Sequence, residues 1–155
     1  AVMSTSYCTC AFTGHRQLCG DFDLCVLERV AEKLIKLGTR RFLFGAATGF
    51  DLISAECILR LKKTYKDITL CACIPFTGQD NYYSCKDKLR YENILKACDE
   101  KIILSDVYFN GCMHMRNRYL VDNCDVLVSY LRKKSGGTFY TVNYARKNKK
   151  KIIEI

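Results

Sequence analysis

Gly45-Ala46-Ala47-Thr48-Gly49-Phe50-Asp51 lies between a short apolar run, residues 41–44, and a helical pattern that begins near Asp51. The order strand, small-residue turn, helix allows backbone N–H groups at the helix start to face an anion. Gly45 and Gly49 permit a tight turn and the close approach of a ligand. The spacing differs from the G-x-G-x-x-G fingerprint of dinucleotide sites. The stretch therefore predicts either an anion-binding turn or an ordinary β–α turn.

The alternation of strand and helix continues along the whole chain. Apolar runs predict further strands at residues 7–12, 69–74, 101–104, 126–130 and 151–155, and helical periodicity predicts helices at 22–37, 52–65, 86–98, 112–123 and 135–148. This order predicts an α/β protein with a parallel, doubly wound sheet. A chain of 155 residues is long enough for one core, so we expect a single domain over residues 1–155.

Four loops with unusual composition follow predicted strands, at residues 13–16, 45–51, 75–83 and 135–138. Ligands of such sheets bind beyond the carboxyl ends of the strands. The convergence of these loops predicts a nucleotide-like small molecule as the ligand. The candidate ligand-binding residues are Thr13, Gly14, His15, Arg16, Gly45, Ala46, Gly49, Asp51, Phe76, Gln79, Tyr82, Tyr83, Arg116, Gly136, Gly137 and Thr138.

The polar candidates have alternative roles. Arg16 can bind phosphate with two hydrogen bonds. His15 either donates to a phosphate or ribose or is a structural histidine. Asp51 either accepts from ribose hydroxyls or stabilises the start of its helix, and Glu56, one turn later, borders the site. Arg116 reaches either a phosphate or a neighbouring subunit of a homo-oligomer.

The remaining candidates divide into anion and base contacts. Residues 136–138 form a second helix start that can face an anion, with a hydroxyl from Thr138. Phe76, Tyr82 and Tyr83 offer flat faces to a base, although at least one tyrosine is expected in the core. Gln79 could read a base edge.

The charge balance favours anionic partners. Twenty-five Lys and Arg against sixteen Asp and Glu give a net charge of +9, part of it in residues 146–151. Single-stranded nucleic acid is therefore an alternative partner, which predicts a steep loss of affinity with added salt. No apolar run approaches the ~20 residues that span a bilayer, so no membrane partner is predicted.

Eleven cysteines occur without a C-x-x-C pair. We interpret most of them as small core residues of a protein in a reducing compartment. Residues 1–6 lack the pattern of a secretory signal, which predicts a cytoplasmic location. No structural zinc, disulfide network or cofactor is predicted.

Five ordered motifs resemble one family. They are Phe12-Thr13-Gly14-His15-Arg16; the 45–51 turn with Glu56; Ile74-Pro75-Phe76 with Gln79; Tyr91 and Ile94-Leu95 followed by Arg116-Asn117 and Val121-Asp122; and Gly136-Gly137-Thr138 with Tyr144-Ala145. In this order they resemble the YpsA-like branch of the SLOG superfamily, which includes phage-borne YoqJ proteins. The resemblance implies a Rossmann-like three-layer sandwich with a mostly parallel central sheet and a nucleotide-derived ligand.

The resemblance leaves the activity open. It implies a module that senses or sequesters a nucleotide, or an NAD- or ADP-ribose-derived signal. The alternative is a phosphoribohydrolase like the LOG branch, whose PGGxGTxxE motif supplies a glutamate. Thr141 holds that position here, so Asp51 or Glu56 would have to replace it. Thr48 also stands where family members often carry a basic residue, and Tyr82 and Tyr83 stand near a usual tryptophan.

Overall fold

The computed structural model describes residues 7–155, so the predictions made on residues 1–6 lie outside it. The elements of the described chain are β1 (Thr9–Gly14), α1 (Leu24–Lys36), β2 (Arg41–Phe44), α2 (Phe50–Lys62), β3 (Thr69–Ile74), α3 (Cys85–Ala97), β4 (Glu100–Ile103), α4 (Cys112–Asp122), β5 (Val126–Tyr130), α5 (Gly136–Lys147) and β6 (Lys151–Glu154). Across residues 7–155, every helix is too short or too polar to cross a membrane.

The six strands form one sheet in the order β4-β3-β2-β1-β5-β6, and every pair is parallel. The predicted α/β fold is therefore confirmed, and the sheet is wholly rather than mostly parallel. β1 is central: Cys10 pairs with Phe42 of β2 on one side and Val126 of β5 on the other. The strand order reverses between β1 and β5, which is where such sheets open a ligand crevice.

Helices cover both faces of the sheet. The larger core joins α1, α2 and α3 to Phe12, Phe42 and Phe44. The smaller core joins α4 and α5 to Ala11 and Leu43, the strand neighbours that point the other way. Because successive strand residues face opposite sides, both faces of the central strands are apolar, as a parallel sheet requires. The three-layer sandwich follows from this packing.

The helix starts fall into two groups. Asp23 caps α1 through the Cys25 N–H at 2.9 Å, and Ser84 caps α3 through the Asp87 N–H at 3.2 Å. The Asp23 cap explains why α1 begins at Leu24, two residues after the predicted start. In the described chain, α2, α4 and α5 have no side-chain cap. The first N–H groups of a helix have no intrahelical acceptor. The Phe50 N–H at the start of α2 donates to the His15 carbonyl at 3.1 Å, and the Cys112 N–H at the start of α4 donates to the Phe109 carbonyl at 3.1 Å.

Cysteine positions follow the packing. Buried thiols are found at Cys10, Cys57, Cys71, Cys73, Cys112 and Cys124, whereas Cys8, Cys19, Cys25 and Cys85 are exposed. Burial raises the pKa of Cys57 and of Cys124 to about 12, which keeps these thiols neutral near pH 7. The absence of zinc and of disulfides in the purified protein stays a prediction, to be checked by elemental analysis and thiol titration.

Candidate functional site

A cleft of about 490 Å³ opens beyond the carboxyl ends of β1 and β5. The β1–α1 loop, the start of α2, one side of α4 and the β5–α5 loop form its walls. Its volume falls in the range usual for small-molecule sites. The lining residues are Phe12, Thr13, Gly14, His15, Arg16, Gln17, Ala47, Asp51, Met113, His114, Arg116, Asn117, Leu120, Lys133, Gly136, Gly137 and Thr138.

Side chains from other parts of the chain donate hydrogen bonds to carbonyl groups of the turn after β2. The Gly45 carbonyl accepts from Gln79 Nε2 at 3.0 Å and from Arg116 Nη1. The Ala46 carbonyl accepts from the Tyr83 hydroxyl at 2.8 Å. Ala46 has a φ of 61°, in the left-handed region that non-glycine residues seldom adopt. Gln79 and Tyr83 therefore fix the shape of this turn, and their polar groups are already engaged.

Arg116 is the most deeply placed cation of the cleft, with 4% of its surface exposed. Its Nε donates to Asn117 Oδ1 at 2.9 Å, and its Nη1 donates to the Gly45 carbonyl. Nη2 has no partner within residues 7–155. Ser129 Oγ is the one fully enclosed side-chain polar atom in the described chain that lacks a hydrogen bond. Nη2 of Arg116 is therefore not fully enclosed, and Arg116 lines the cleft.

Asp51 lies beside Arg116 and is 6% exposed. Its Oδ2 accepts from the Ala47 N–H at 3.2 Å, and the two side chains do not approach to ion-pair distance. Burial raises the pKa of Asp51 to about 6, although the positive charges of Arg116 and Arg16 oppose the rise. A carboxyl group that titrates near neutrality is suited to proton transfer.

The raised pKa of Asp51 makes a stability prediction. A carboxyl group whose pKa is higher in the folded state favours folding at low pH, and this contribution is lost as the pH rises through the folded value. Against Asp51→Asn, the parent should lose on the order of 2 kcal/mol between pH 4 and pH 7.5. Chemical denaturation at both pH values measures the difference. Effects of the substitution that do not depend on pH cancel in this comparison. The same stability difference between parent and variant at both pH values would contradict the raised pKa.

His15 connects the two loops that flank the reversal of strand order. Its Nε2 accepts from the Arg132 backbone N–H at 2.8 Å, so the ring proton of the neutral form is on Nδ1. Burial lowers the pKa of His15, and the nearby Lys133 and Arg132 lower it further. His15 is 8% exposed as a residue and lines the cleft. His15 is thus both structural and able to present an N–H to a ligand.

A second connection, on the outer side, reinforces the first. Arg132 Nε donates to Asp21 Oδ2 at 2.7 Å, and its guanidinium lies 4.2 Å from the centre of the Tyr130 ring. The Tyr130 hydroxyl donates to Asp21 Oδ1 at 2.9 Å and accepts from the Cys19 N–H at 3.0 Å. These contacts fix the β1–α1 loop to the end of β5.

The start of α5 forms the opposite wall. Gly136 has a φ of +88°, and a Cβ placed there would meet nothing within 4 Å. Gly137 lies near the Asn117 amide, and Thr138 is buried. Since α5 has no capping side chain in the described structure, its first N–H groups and its positive dipole end border the cleft.

A second cleft of about 870 Å³ adjoins the first, and Arg16 and Met113 line both. Phe76 contacts Tyr108 edge-to-face with ring centres 5.4 Å apart. Tyr83 packs edge-to-face on the buried Tyr91, and Tyr82 is fully exposed. Arg16 is exposed and has no hydrogen bond or ion pair from its side chain to any other residue of the 7–155 segment.

The structure separates the sequence candidates into three groups. Nine line the first cleft, and Arg16, Phe76, Gln79, Tyr82 and Tyr83 line the second. Gly45, Ala46 and Gly49 line neither cleft but shape the turn that carries Ala47 and Thr48. Glu56 lines neither cleft and pairs with Arg90 between α2 and α3 at 2.6 Å.

Sequence reasoning missed Lys133, Asn117 and Met113. Lys133 lies three residues before the Gly136-Gly137 start of α5 and lines the first cleft. Asn117 and Arg116 interrupt the apolar face of α4 that Cys112, Leu120 and Val121 form. Polar residues on a buried helix face are a signal of a site, which the sequence offered. Met113 carried no such signal.

Comparison with protein families places the chain in a known group. The YpsA family profile, described as the YspA SLOG family, matches residues 12–154. The SPbeta prophage-derived protein YoqJ of Bacillus subtilis is 28% identical over 134 residues, covering 79% of this chain and 78% of that protein. A UPF0398 protein of Halalkalibacterium halodurans is 32% identical over 117 residues, covering 74% and 62%.

Two solved structures share the fold. DNA processing protein A from Helicobacter pylori, described with a single-stranded DNA binding mode, superposes with a TM-score of 0.68 at 21% identity. DNA processing protein A from Streptococcus pneumoniae gives 0.68 at 20%. Each superposition covers 94% of this chain, which spans 64% and 49% of those two proteins.

Proposed function

Since the chain belongs to the YpsA SLOG family, we propose that it binds a nucleotide, with its phosphate in the cleft between β1 and β5. The observation that carries the proposal is Arg116. This guanidinium is buried, is held by Asn117 and the Gly45 carbonyl, and keeps Nη2 free toward the cleft. A buried cation with an unused donor fits an anionic ligand better than an apolar one.

The charges around Arg116 favour the binding of an anionic ligand. Arg16 and Lys133 add two cations to the lining, and Asp51 is the one carboxylate among the described lining residues. The uncapped start of α5 and the Nδ1–H of His15 add neutral donors. Phosphate oxygens accept several hydrogen bonds at once, which matches this concentration of donors.

The second cleft supports a ring at the other end of the ligand. Phe76, Tyr83 and Tyr108 offer apolar faces there, and Arg16 stands where the two clefts meet. A nucleotide or an NAD- or ADP-ribose-derived molecule has the phosphate-to-base arrangement that two adjoining clefts accept. We propose that the protein senses or sequesters such a molecule; the relative YoqJ comes from a prophage, which is compatible with neutralising a host signal.

Calorimetry tests the proposal with mononucleotides, cyclic nucleotides, NAD, ADP-ribose and inorganic phosphate. Mass spectrometry of small molecules released from the heat-denatured protein identifies a ligand carried through purification. We expect at least one phosphate-bearing member to bind and to compete with phosphate. If all of them failed to bind the folded protein, the proposal would be wrong.

Arg16→Ala should weaken binding of the best nucleotide by roughly tenfold, about 1.4 kcal/mol. The side chain is exposed and unpaired in residues 7–155, so its removal leaves the fold intact and removes one charged hydrogen bond to the ligand. Arg29→Ala is the matched control, because Arg29 is an exposed arginine on α1 away from both clefts. Equal nucleotide affinities of the two variants would show that Arg16 does not contact the ligand.

One observation favours hydrolysis of the ligand as a second candidate function. Asp51 is a carboxyl group inside the cleft with a pKa of about 6, which is near the value that suits a general base. Thr141, at the position of the LOG glutamate, instead donates to the Gly137 carbonyl at 2.7 Å. Slow release of a free base from the bound nucleotide, lost in Asp51→Asn, would establish this activity; a ligand recovered intact after long incubation would exclude it.

The shared fold with DNA processing protein A and the +9 charge give a third candidate, a single-stranded nucleic acid. An oligonucleotide would release counterions from several phosphates, so its affinity would fall steeply with salt. A mononucleotide held by one phosphate group would show a much shallower slope. Titration at 50 and 200 mM salt separates the two.

A further inference from the structure

The two adjoining clefts differ in charge. Among the described residues, the first is lined by Arg16, Arg116 and Lys133 against one carboxylate. The second is lined by Arg16 against two carboxylates, Asp87 and Asp106, together with four aromatic rings: Phe76, Tyr82, Tyr83 and Tyr108. A ligand that occupies both clefts therefore meets positive charge in the first cleft. In the second cleft it meets aromatic rings and more negative than positive side chains.

The two carboxylates of the second cleft are not equivalent. Asp87 Oδ1 accepts from Arg90 Nη1 at 3.0 Å, and the same guanidinium also pairs with Glu56, so Asp87 already has a hydrogen-bond partner. Asp106 forms no hydrogen bond or ion pair from its side chain to the rest of residues 7–155. Arg16 lines the same cleft but is not paired with it within 4 Å. Asp106 is thus the carboxylate that remains available to a ligand.

The backbone around Asp106 is fixed. Ser105 Oγ donates to the Val107 carbonyl at 2.7 Å and accepts from the Val107 N–H at 3.2 Å, so these two bonds enclose Asp106. The Ser105 carbonyl accepts from the Thr77 N–H at 3.1 Å. The Tyr108 ring packs against Phe76. Asp106 is exposed and lines the same cleft as the Phe76 and Tyr108 rings.

We propose that the second cleft selects bases that carry an exocyclic amino group, with Asp106 accepting the amino N–H while Phe76 or Tyr108 packs on the ring. This inference rests on the proposed binding of nucleotides and names the class of base. An amino group donates to a carboxylate, whereas an oxo group at the same position presents an acceptor and is repelled. Adenine and cytosine carry the amino group at the position where hypoxanthine and uracil carry an oxo group, so we expect the first two to bind more tightly.

Two matched pairs of ligands test the selection: adenosine against inosine 5′-monophosphate, and cytidine against uridine 5′-monophosphate. Within each pair the phosphate and the ribose are the same, and an amino group replaces an oxo group. We expect the parent to bind the amino member about five- to tenfold more tightly, as expected for one charged hydrogen bond near the surface. Calorimetry at one pH and salt concentration gives both ratios.

Asp106→Asn should bring both ratios to about one, because the amide can accept from an amino group or donate to an oxo group. Its affinity for inorganic phosphate should be unchanged, since phosphate occupies the other cleft. Glu92→Gln is the matched control, because Glu92 is an exposed carboxylate on α3 outside both clefts. It should keep the ratios of the parent.

The outcomes separate this inference from the function on which it rests. Equal binding of all four nucleotides by the parent, or ratios that survive in Asp106→Asn, would overturn the selection by Asp106 and leave nucleotide binding intact. Failure of the parent to bind any of the four nucleotides would overturn the selection by Asp106. Failure to bind any member of the wider panel, including NAD, ADP-ribose and inorganic phosphate, would overturn both.

Discussion

Arg116→Met should abolish nucleotide binding and destabilise the unliganded protein by about 3–5 kcal/mol. Methionine keeps much of the side-chain volume but leaves Asn117 Oδ1 without its donor and removes a positive charge that opposes the rise in the pKa of Asp51. Each charged hydrogen bond lost from a buried acceptor typically costs about 1–3 kcal/mol. The substitution also removes the Nη1 donor from the Gly45 carbonyl and the free Nη2 from the cleft. We expect affinity to fall by more than about 100-fold, equivalent to roughly 3 kcal/mol.

A double variant distinguishes the loss of stability from the loss of the ligand contact. Arg116→Met combined with Asp51→Asn removes both buried charges, so part of the lost stability should return while nucleotide binding should not. Arg60→Met is the control, because the Arg60–Glu28 pair is partly exposed and is expected to contribute less than about 1 kcal/mol. Urea denaturation and calorimetry give both quantities. Recovery of binding in the double variant would contradict the role given to Nη2.

Gly49→Ala should be nearly as damaging, by about 3–5 kcal/mol of unfolding free energy. Gly49 has a φ of +77° and a ψ of −122°, a conformation that side-chain-bearing residues avoid. A Cβ at this position would also overlap the backbone carbonyl of Arg16. The β1–α1 loop or the start of α2 would have to move, so nucleotide affinity should fall together with stability.

Substitutions at two other glycines separate the conformational cost of a positive φ from the cost of steric overlap. Gly136 has a φ of +88° but open space around a Cβ, so Gly136→Ala should have only the conformational cost of about 1–2 kcal/mol. Gly20 has neither a positive φ nor a neighbour within 4 Å, so Gly20→Ala should change stability by less than about 0.5 kcal/mol. If the three variants were equally stable, overlap with Arg16 would not be the cause.

The sequence was sufficient for the strand order along the chain and for the edge of the sheet that carries the site. Apolar runs separated by helical periods predicted each of the six strands. The four inner strands carry such runs because both of their faces are buried. The glycine-containing turn at 45–51 and the Gly136-Gly137 start of α5 marked the two loops that border the cleft. The spatial order of the strands required the coordinates.

Side-chain partners were less predictable because they depend on long-range packing. Gln79 and Tyr83 were expected to meet a base, yet their polar groups hold carbonyls more than thirty positions away in the chain, at Gly45 and Ala46. Neither periodicity nor spacing indicates which of several polar groups a buried amide will meet. Arg116 was left between a phosphate and a subunit contact for the same reason, and its burial beside Asp51 now directs it to the chain's own cleft.

The strand order also determines when the site can exist during folding. β1, β2, β3 and β4 are successive in the chain and adjacent in the sheet, so the segment from Thr9 to Ile103 can assemble from short crossovers. The other edge of β1 pairs with β5, which lies more than a hundred residues away along the chain. Pairing between such distant segments is slow. The cleft is complete only after that last docking step. During synthesis on the ribosome, the ligand would therefore bind and stabilise only the fully folded protein. It would not affect the early stages of folding.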